Sequence, residues 1–278
     1  MENVKLWKDG ETPYFEPSYG QPETDMTPFI APVQKNEDGS IKKTGCVIVC
    51  AGGSYEMRAD HEGGDVAEMY ANAGISSFVL NYRVKPYHHP AITEDISRAV
   101  RWVRCHADEY NIDPEKIAVC GFSAGGHLAT YAATHFDYGK TEGDEVDRVS
   151  SRPNAAVLCY PVVSLLPPNT HLLSRHNLLG DRPDENMLAH DFSGEFSITR
   201  ETPPMFMWHN ADDRATNPEN SLNLAAALSA GNISFELHIF PSGGHGVGLA
   251  NGVGITENIP GACQWSNLAV DWLRRMGF

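Results

Sequence analysis

The chain has 278 residues, 41% of them hydrophobic and 21% charged, the balance of a globular protein with a sizeable core. Its formal charge of −15 argues against a nucleic-acid or anionic-membrane partner, because phosphate binding needs clustered Lys and Arg. The N-terminal stretch MENVKLWKDGETPYF lacks the apolar core of a signal peptide, and no apolar run reaches the roughly 18 residues of a membrane span, so the expectation is a cytoplasmic protein.

In chain order, residues 1–45 are rich in Pro, Glu and Asp and carry the turn pairs Asp9-Gly10 and Asp38-Gly39, which predicts an irregular or edge-strand lead-in. Short apolar runs of strand length follow at 46–50, 76–82, 116–122, 154–160, 204–209 and 235–240. The first four are nearly continuous in hydrophobicity, as parallel strands covered on both faces require. Between the runs lie stretches with helical spacing. One places Val66, Met69, Tyr70 and Ala73 on one face and ends at Gly74. Another opens with a cap signal at Thr93 and spaces Ile96, Val100 and Val103 for burial. AGGHLATYAATH, a segment closing at Gly231, and GACQWSNLAVDWLRRM complete the set. Strand–helix alternation predicts an α/β fold with a mostly parallel, doubly wound sheet flanked by helices. Residues 161–202 break the rhythm and carry two short helical candidates, which predicts a cap-like insertion over the C-terminal edge of the sheet. The chain is thus read as one domain, 1–278. The six cysteines are scattered and show no CxxC pairing; several fall in apolar runs, where a reduced thiol packs as a small hydrophobe.

Gly121-Phe122-Ser123-Ala124-Gly125 sits between the strand KIAVC and a helix, the context that a nucleophile elbow requires. A sharp strand-to-helix turn strains the serine, demands small neighbours, and aims the amide of Ala124 at the place where the hydroxyl acts. A serine needs an imidazole base oriented by a carboxylate, in the order Ser, Asp or Glu, His along this fold. His245, in a glycine-rich loop after the last strand, is the base expected from that order. His127 on the elbow helix, with His88, His89 and His209, is expected to be structural, and the remaining histidines have no comparable context. Asp212 and Asp213 both follow the strand 204–209. Adjacent side chains cannot point the same way, and Asp212, nearer the strand end, is the preferred acid, with Asp213 capping the loop. Gly52-Gly53-Ser54 after the first strand lets backbone amides approach a reacting carbonyl, and its spacing matches no nucleotide-binding loop. Tyr55, Arg58 and Glu62 lie beside this loop and are expected to brace it.

Together these motifs resemble the α/β-hydrolase superfamily and, more narrowly, its acetyl-esterase/xylan-esterase-like branch, from about residue 44 to the end. The segments that carry the likeness include AGGSYEMRADHEGGDVAEMYANAG, IDPEKIAVCGFSAGGHLAT, PPMFMWHNADDRATNPENS and PSGGHGVGL. The chain departs from the family in having Ala51 before its Gly-Gly-Ser, and RATNP where relatives carry Val-Pro after the acid. The resemblance implies a Ser123–Asp212–His245 triad and oxyanion donors from Gly53, Ser54 and Ala124. It implies hydrolysis of short-chain carboxylic esters, plausibly acetyl esters of carbohydrates, through an acyl-enzyme, with no metal or organic cofactor. The expected partner is a small-molecule ester; the oligomeric state stays open, a homodimer among the options. Two alternatives stand beside this reading. The Asp–His segment also resembles that of prolyl-oligopeptidase-like serine peptidases, and a non-catalytic binder could retain the fold.

Overall fold

A computed structural model describes residues 2–182 and 185–278. The strands are β1 (Val4–Lys5), β2 (Asp25–Phe29), β3 (Gln34–Lys35), β4 (Ile41–Lys42), β5 (Thr44–Cys50), β6 (Ser76–Leu80), β7 (Ile112–Phe122), β8 (Ala155–Cys159), β9 (Met205–Asn210) and β10 (Phe235–Phe240). The helices are α1 (Gly64–Asn72), α2 (Ala91–Cys105), α3 (Ala124–Thr134), α4 (Leu172–Leu179), α5 (Glu185–Asp191), α6 (Glu219–Ala230) and α7 (Trp265–Arg275). Eight strands form one sheet in the order β1-β2-β6-β5-β7-β8-β9-β10, and β3 pairs with β4 in a separate hairpin. The β1–β2 and β2–β6 pairs are antiparallel and the pairs from β6 to β10 are parallel. This is an α/β-hydrolase fold, with the lead-in supplying two antiparallel strands at one edge.

The uninterrupted hydrophobicity of the central strands has a direct cause. Along β5, Cys46, Ile48 and Cys50 pack in a cluster with Ile96, Val100 and Leu128 of α2 and α3. Val47 and Val49 point to the other face, among Val66, Tyr70, Trp265 and Leu273 of α1 and α7. With helices on both faces, every position of the strand is buried and the alternation of a half-exposed strand disappears.

α2 begins at Ala91, with Pro90 as its cap, rather than at Thr93. The Thr93 hydroxyl sits inside the first turn and donates to the Pro90 carbonyl at 3.0 Å, so its polarity is spent on the backbone just before the helix. The same helix carries Asp95, which with Arg83 forms an ion pair at 2.6 Å, the two side chains 0% and 1% exposed. Arg83 also donates to the carbonyls of Pro13 and Ala91, so one guanidinium ties the lead-in, the loop after β6 and α2 together. Arg83→Ala leaves Asp95 buried without its cation and is expected to cost about 3–5 kcal/mol of stability, read from denaturant midpoints.

The strand order places the functional loops. The crossover that follows β5 runs to β6 on one side and the crossover that follows β7 runs to β8 on the other, and this switch point opens a crevice at the carboxyl ends of β5 and β7. The Gly-Gly-Ser loop follows β5 and Ser123 follows β7, so the two meet across that crevice. Among the described residues, no helix is long and apolar enough to cross a membrane.

Candidate active site

The turn from β7 into α3 holds Ser123 at φ +52° and ψ −117°, a backbone conformation that L-residues rarely adopt. Its amide donates to the Cys159 carbonyl at 3.1 Å, and its carbonyl accepts from the amides of His127 and Val162 at 3.1 and 3.0 Å. The flanking glycines are there for clearance. A Cβ on Gly121 would collide with the Gly125 backbone, and one on Gly125 with the carbonyl of Cys50, so the elbow closes only without those side chains.

The Ser123 hydroxyl donates to His245 Nε2 at 2.8 Å, and His245 Nδ1–H donates to Asp213 Oδ2 at 2.6 Å. The carboxylate that meets His245 is therefore Asp213, not Asp212. The reason is the turn that follows β9: the Asp213 amide donates to the Asn210 carbonyl, and this reversal leaves Asp212 facing solvent while Asp213 is swung into the interior. Asp212 has a different task. Its Oδ1 accepts from the amides of Gly243 and Gly244 at 3.0 and 2.9 Å, fastening the loop that carries His245.

Asp213 is 4% exposed, accepts hydrogen bonds from three groups and touches a fourth. Oδ1 takes the amides of Ala215 and Thr216 at 2.9 Å each, and Oδ2 takes His245 and lies 3.2 Å from His209 Nε2. Burial alone would push the carboxyl up, but the hydrogen bonds from His209 and His245, with the charge available on His245, outweigh it and hold the acid well below the usual carboxylate range. His209 is itself fixed: Nδ1 lies 2.8 Å from the Ser221 hydroxyl and Nε2 2.9 Å from the Thr216 carbonyl. It is a structural histidine as the sequence suggests, and the structure adds that it touches the acid.

Across the crevice, Gly53, Ser54 and Tyr55 all have positive φ, at 127°, 57° and 57°. Only the glycine adopts this conformation without strain. The Gly52 amide donates to buried Glu62 Oε2 at 2.7 Å. Among the described residues, none accepts from the amides of Gly53, Ser54 or Ala124. All three neighbours read as braces do brace. Glu62 holds Gly52, the Tyr55 hydroxyl donates to His127 Nδ1 at 2.8 Å, and Arg58 donates to the Tyr82 carbonyl at 2.6 Å.

Residues 161–202 contribute contacts that no local motif announces. Asn177 of α4 donates from Nδ2 to the Ser54 carbonyl at 2.9 Å, and His127 Nε2–H donates to the Phe192 carbonyl at 2.9 Å. His171, which caps α4, lies near enough to His245 that, after burial, the charge there also depresses its own protonation. His61 reaches the Gly246 carbonyl at 2.8 Å. Neither His61 nor His171 has a sequence signal of its own, because both reach the site across long separations in the chain.

His127, beneath the elbow, is fully buried, and burial pushes its pKa down to about 4 from an ordinary 6.5, against the pull of the hydrogen bond to Phe192. Between those pH values the unfolded chain takes up a proton that the folded chain refuses. Stability therefore falls as the pH drops through that window, by roughly 3 kcal/mol in total from this group. Denaturant midpoints measured at pH 7 and pH 4.5 should show that dependence, and His127→Gln should flatten it.

The model of the BD-FAE family matches residues 34–228. Endo-1,4-beta-xylanase B of Butyrivibrio fibrisolvens is 38% identical over 251 residues, 88% of this chain and 38% of that protein. Acetylxylan esterase of Xylanibacter ruminicola is 31% identical over 207 residues, 73% of this chain and 41% of that protein. The chain thus spans about two fifths of the length of these two relatives. The crystal structure of an acetyl ester-xyloside bifunctional hydrolase from Caldicellulosiruptor lactoaceticus superposes with a TM-score of 0.90 at 42% identity, over 100% of this chain and 97% of that one. With the fold and these likenesses in agreement, the chain belongs to the BD-FAE family and is an esterase-like member of the α/β-hydrolase superfamily.

Proposed function

We propose that the protein is a serine carboxylesterase that removes short acyl groups, acetyl foremost, from carbohydrate esters, with Ser123 as nucleophile, His245 as general base and acid, and Asp213 as the orienting carboxylate. The observation that carries this reading is the unbroken hydrogen-bond relay from Ser123 through His245 to Asp213. A buried, ionised Asp213 fixes the tautomer with the proton on Nδ1, which leaves the Nε2 lone pair free to take the serine proton. The serine oxygen then attacks the ester carbonyl. The developing oxyanion is received by the amides of Gly53, Ser54 and Ala124, backbone donors that no described residue engages. The imidazolium returns its proton to the leaving alcohol, and water repeats the sequence on the acyl-enzyme. Every proton and bond is accounted for by these groups, and no cofactor enters the scheme. The carbohydrate part of the reading is supported by the likeness to an acetylxylan esterase and to an acetyl ester-xyloside bifunctional hydrolase.

Turnover of p-nitrophenyl acetate, and acetate release from acetylated xylo-oligosaccharides, test the proposal. Ser123→Ala should lower kcat by about 10⁴-fold or more. Asp213→Asn should cost on the order of 10³–10⁴-fold, because it lets the imidazole take the wrong tautomer. Asp212→Asn keeps an oxygen that can accept the Gly243 and Gly244 amides, removes only the charge from this loop fastening, and should cost less than about 10-fold. Undiminished turnover in Ser123→Ala would sink the assignment, and an Asp212→Asn loss exceeding that of Asp213→Asn would return the acid to Asp212.

A further inference from the structure

Glu62 is 2% exposed, yet the groups that hold it are an amide and a phenol, with no Lys or Arg bonded to it among the described residues. Its Oε2 accepts from the Gly52 amide at 2.7 Å and its Oε1 accepts from the Tyr160 hydroxyl at 2.6 Å. The Tyr160 oxygen in turn accepts from the Gly248 amide at 2.9 Å, and the Gly248 carbonyl accepts from Trp265 Nε1 at 3.0 Å. His61 Nε2 lies 3.9 Å from Oε1 and is already committed to the Gly246 carbonyl. Burying a carboxylate is costly, and an apolar filling of the same volume would stabilise the fold at least as well. What the carboxylate adds is fixed direction at both ends.

Those ends are the two halves of the site. Gly52 begins the loop whose next two amides, those of Gly53 and Ser54, are the proposed oxyanion donors. A Cβ on Gly52 would lie 2.6 Å from Glu62 Oε2 and 3.0 Å from Ser123 Cβ, so this residue is wedged between the carboxylate and the nucleophile. Gly248 lies in the loop that carries His245, and the Tyr160 ring packs edge-on against the His245 ring, with centroids 4.9 Å apart. Because Glu62 engages the Gly52 amide, it sets the plane of that peptide and with it the direction of the strained turn at Gly53 and Ser54.

We infer that Glu62 and Tyr160 form one positioning strut that fixes the distance between the amides of Gly53 and Ser54 on one side and the imidazole of His245 on the other. The inference rests on the esterase reading above, and it makes both residues positioning residues rather than groups that touch substrate. A strut of this kind acts on the transition state, in which the oxyanion and the proton on His245 must be served together, and it contributes little to ground-state binding.

The test uses the full chain with p-nitrophenyl acetate. Tyr160→Phe keeps the ring against His245 and removes only the linking oxygen. It should lower kcat by about 10–100-fold while KM stays within about twofold. Glu62→Gln should do the same, and the double variant should fall no further than the worse single one, because a strut cut once is already cut. Labelling of Ser123 by a fluorophosphonate should slow in parallel, since that reaction also builds charge on the same amides. The proposal is overturned by a folded Tyr160→Phe with wild-type kcat, by a loss confined to KM, or by losses that multiply in the double variant. If Tyr160→Phe does not fold, the kcat and KM of Glu62→Gln decide alone. Wild-type protein without ester turnover would remove the esterase reading and the strut with it, whereas wild-type turnover undiminished in both single variants would remove the strut only.

Discussion

The contact between His245 Nδ1 and the buried carboxylate of Asp213 is the interaction on which the proposed chemistry turns, and much of the architecture around β9 and β10 serves to make it. An ionised carboxylate at 4% exposure is unstable unless donors surround it. Two amides from the turn that follows β9, the ring of His209 and the ring of His245 meet that need. Because the two amides and the His209 contact belong to the β9 strand and its turn, independent of the His245 loop, they orient the acid without it. The parallel pairing of β9 with β10 brings the two loops side by side, and Asp212 then fastens the His245 loop from outside. Two consecutive aspartates thus do separate work, one on the ring and one on the backbone that carries it.

The second constraint is strain held by packing. Ser123 at the end of β7 and the Gly53–Tyr55 turn at the end of β5 both adopt positive φ, and each non-glycine residue so held, Ser123, Ser54 and Tyr55, costs on the order of 1–3 kcal/mol. The compensation comes from distant parts of the chain: the Cys159 carbonyl and Val162 amide at the serine, and Glu62, Asn177 and His127 at the loop. Asn177 and Phe192 belong to the segment between β8 and β9 that interrupts the strand–helix rhythm. That segment is therefore bonded to both strained turns, to the loop by Asn177 and to the elbow helix through His127.

Where the sequence was legible, a local physical pattern carried the information. The central strands announce themselves because helices cover both faces and no position needs to be polar, as along Cys46–Cys50. Ser123 and His245 are legible because the glycines around them are demanded by close backbone approach or a tight loop. The choice between Asp212 and Asp213 was not legible in the same way: it hangs on the dihedral angles of one turn, which two identical neighbouring residues cannot reveal. Thr93 misled for a related reason, since a hydroxyl near a helix start serves either as its cap or inside its first turn, and the preceding Pro90 decided for the second. Tyr160 and Asn177 carry no motif at all. Their partners lie 98 and 123 positions away, so only the folded chain brings them to the site.

The most direct measurement on the account is mass spectrometry of the full chain after brief exposure to a fluorophosphonate, followed by peptide mapping. An activated serine beside ready amide donors should take up a single adduct, at Ser123, with loss of ester turnover in step with labelling. No adduct, or inhibition with the adduct on a different residue, would contradict the claim that the Ser123–His245–Asp213 relay performs acyl transfer.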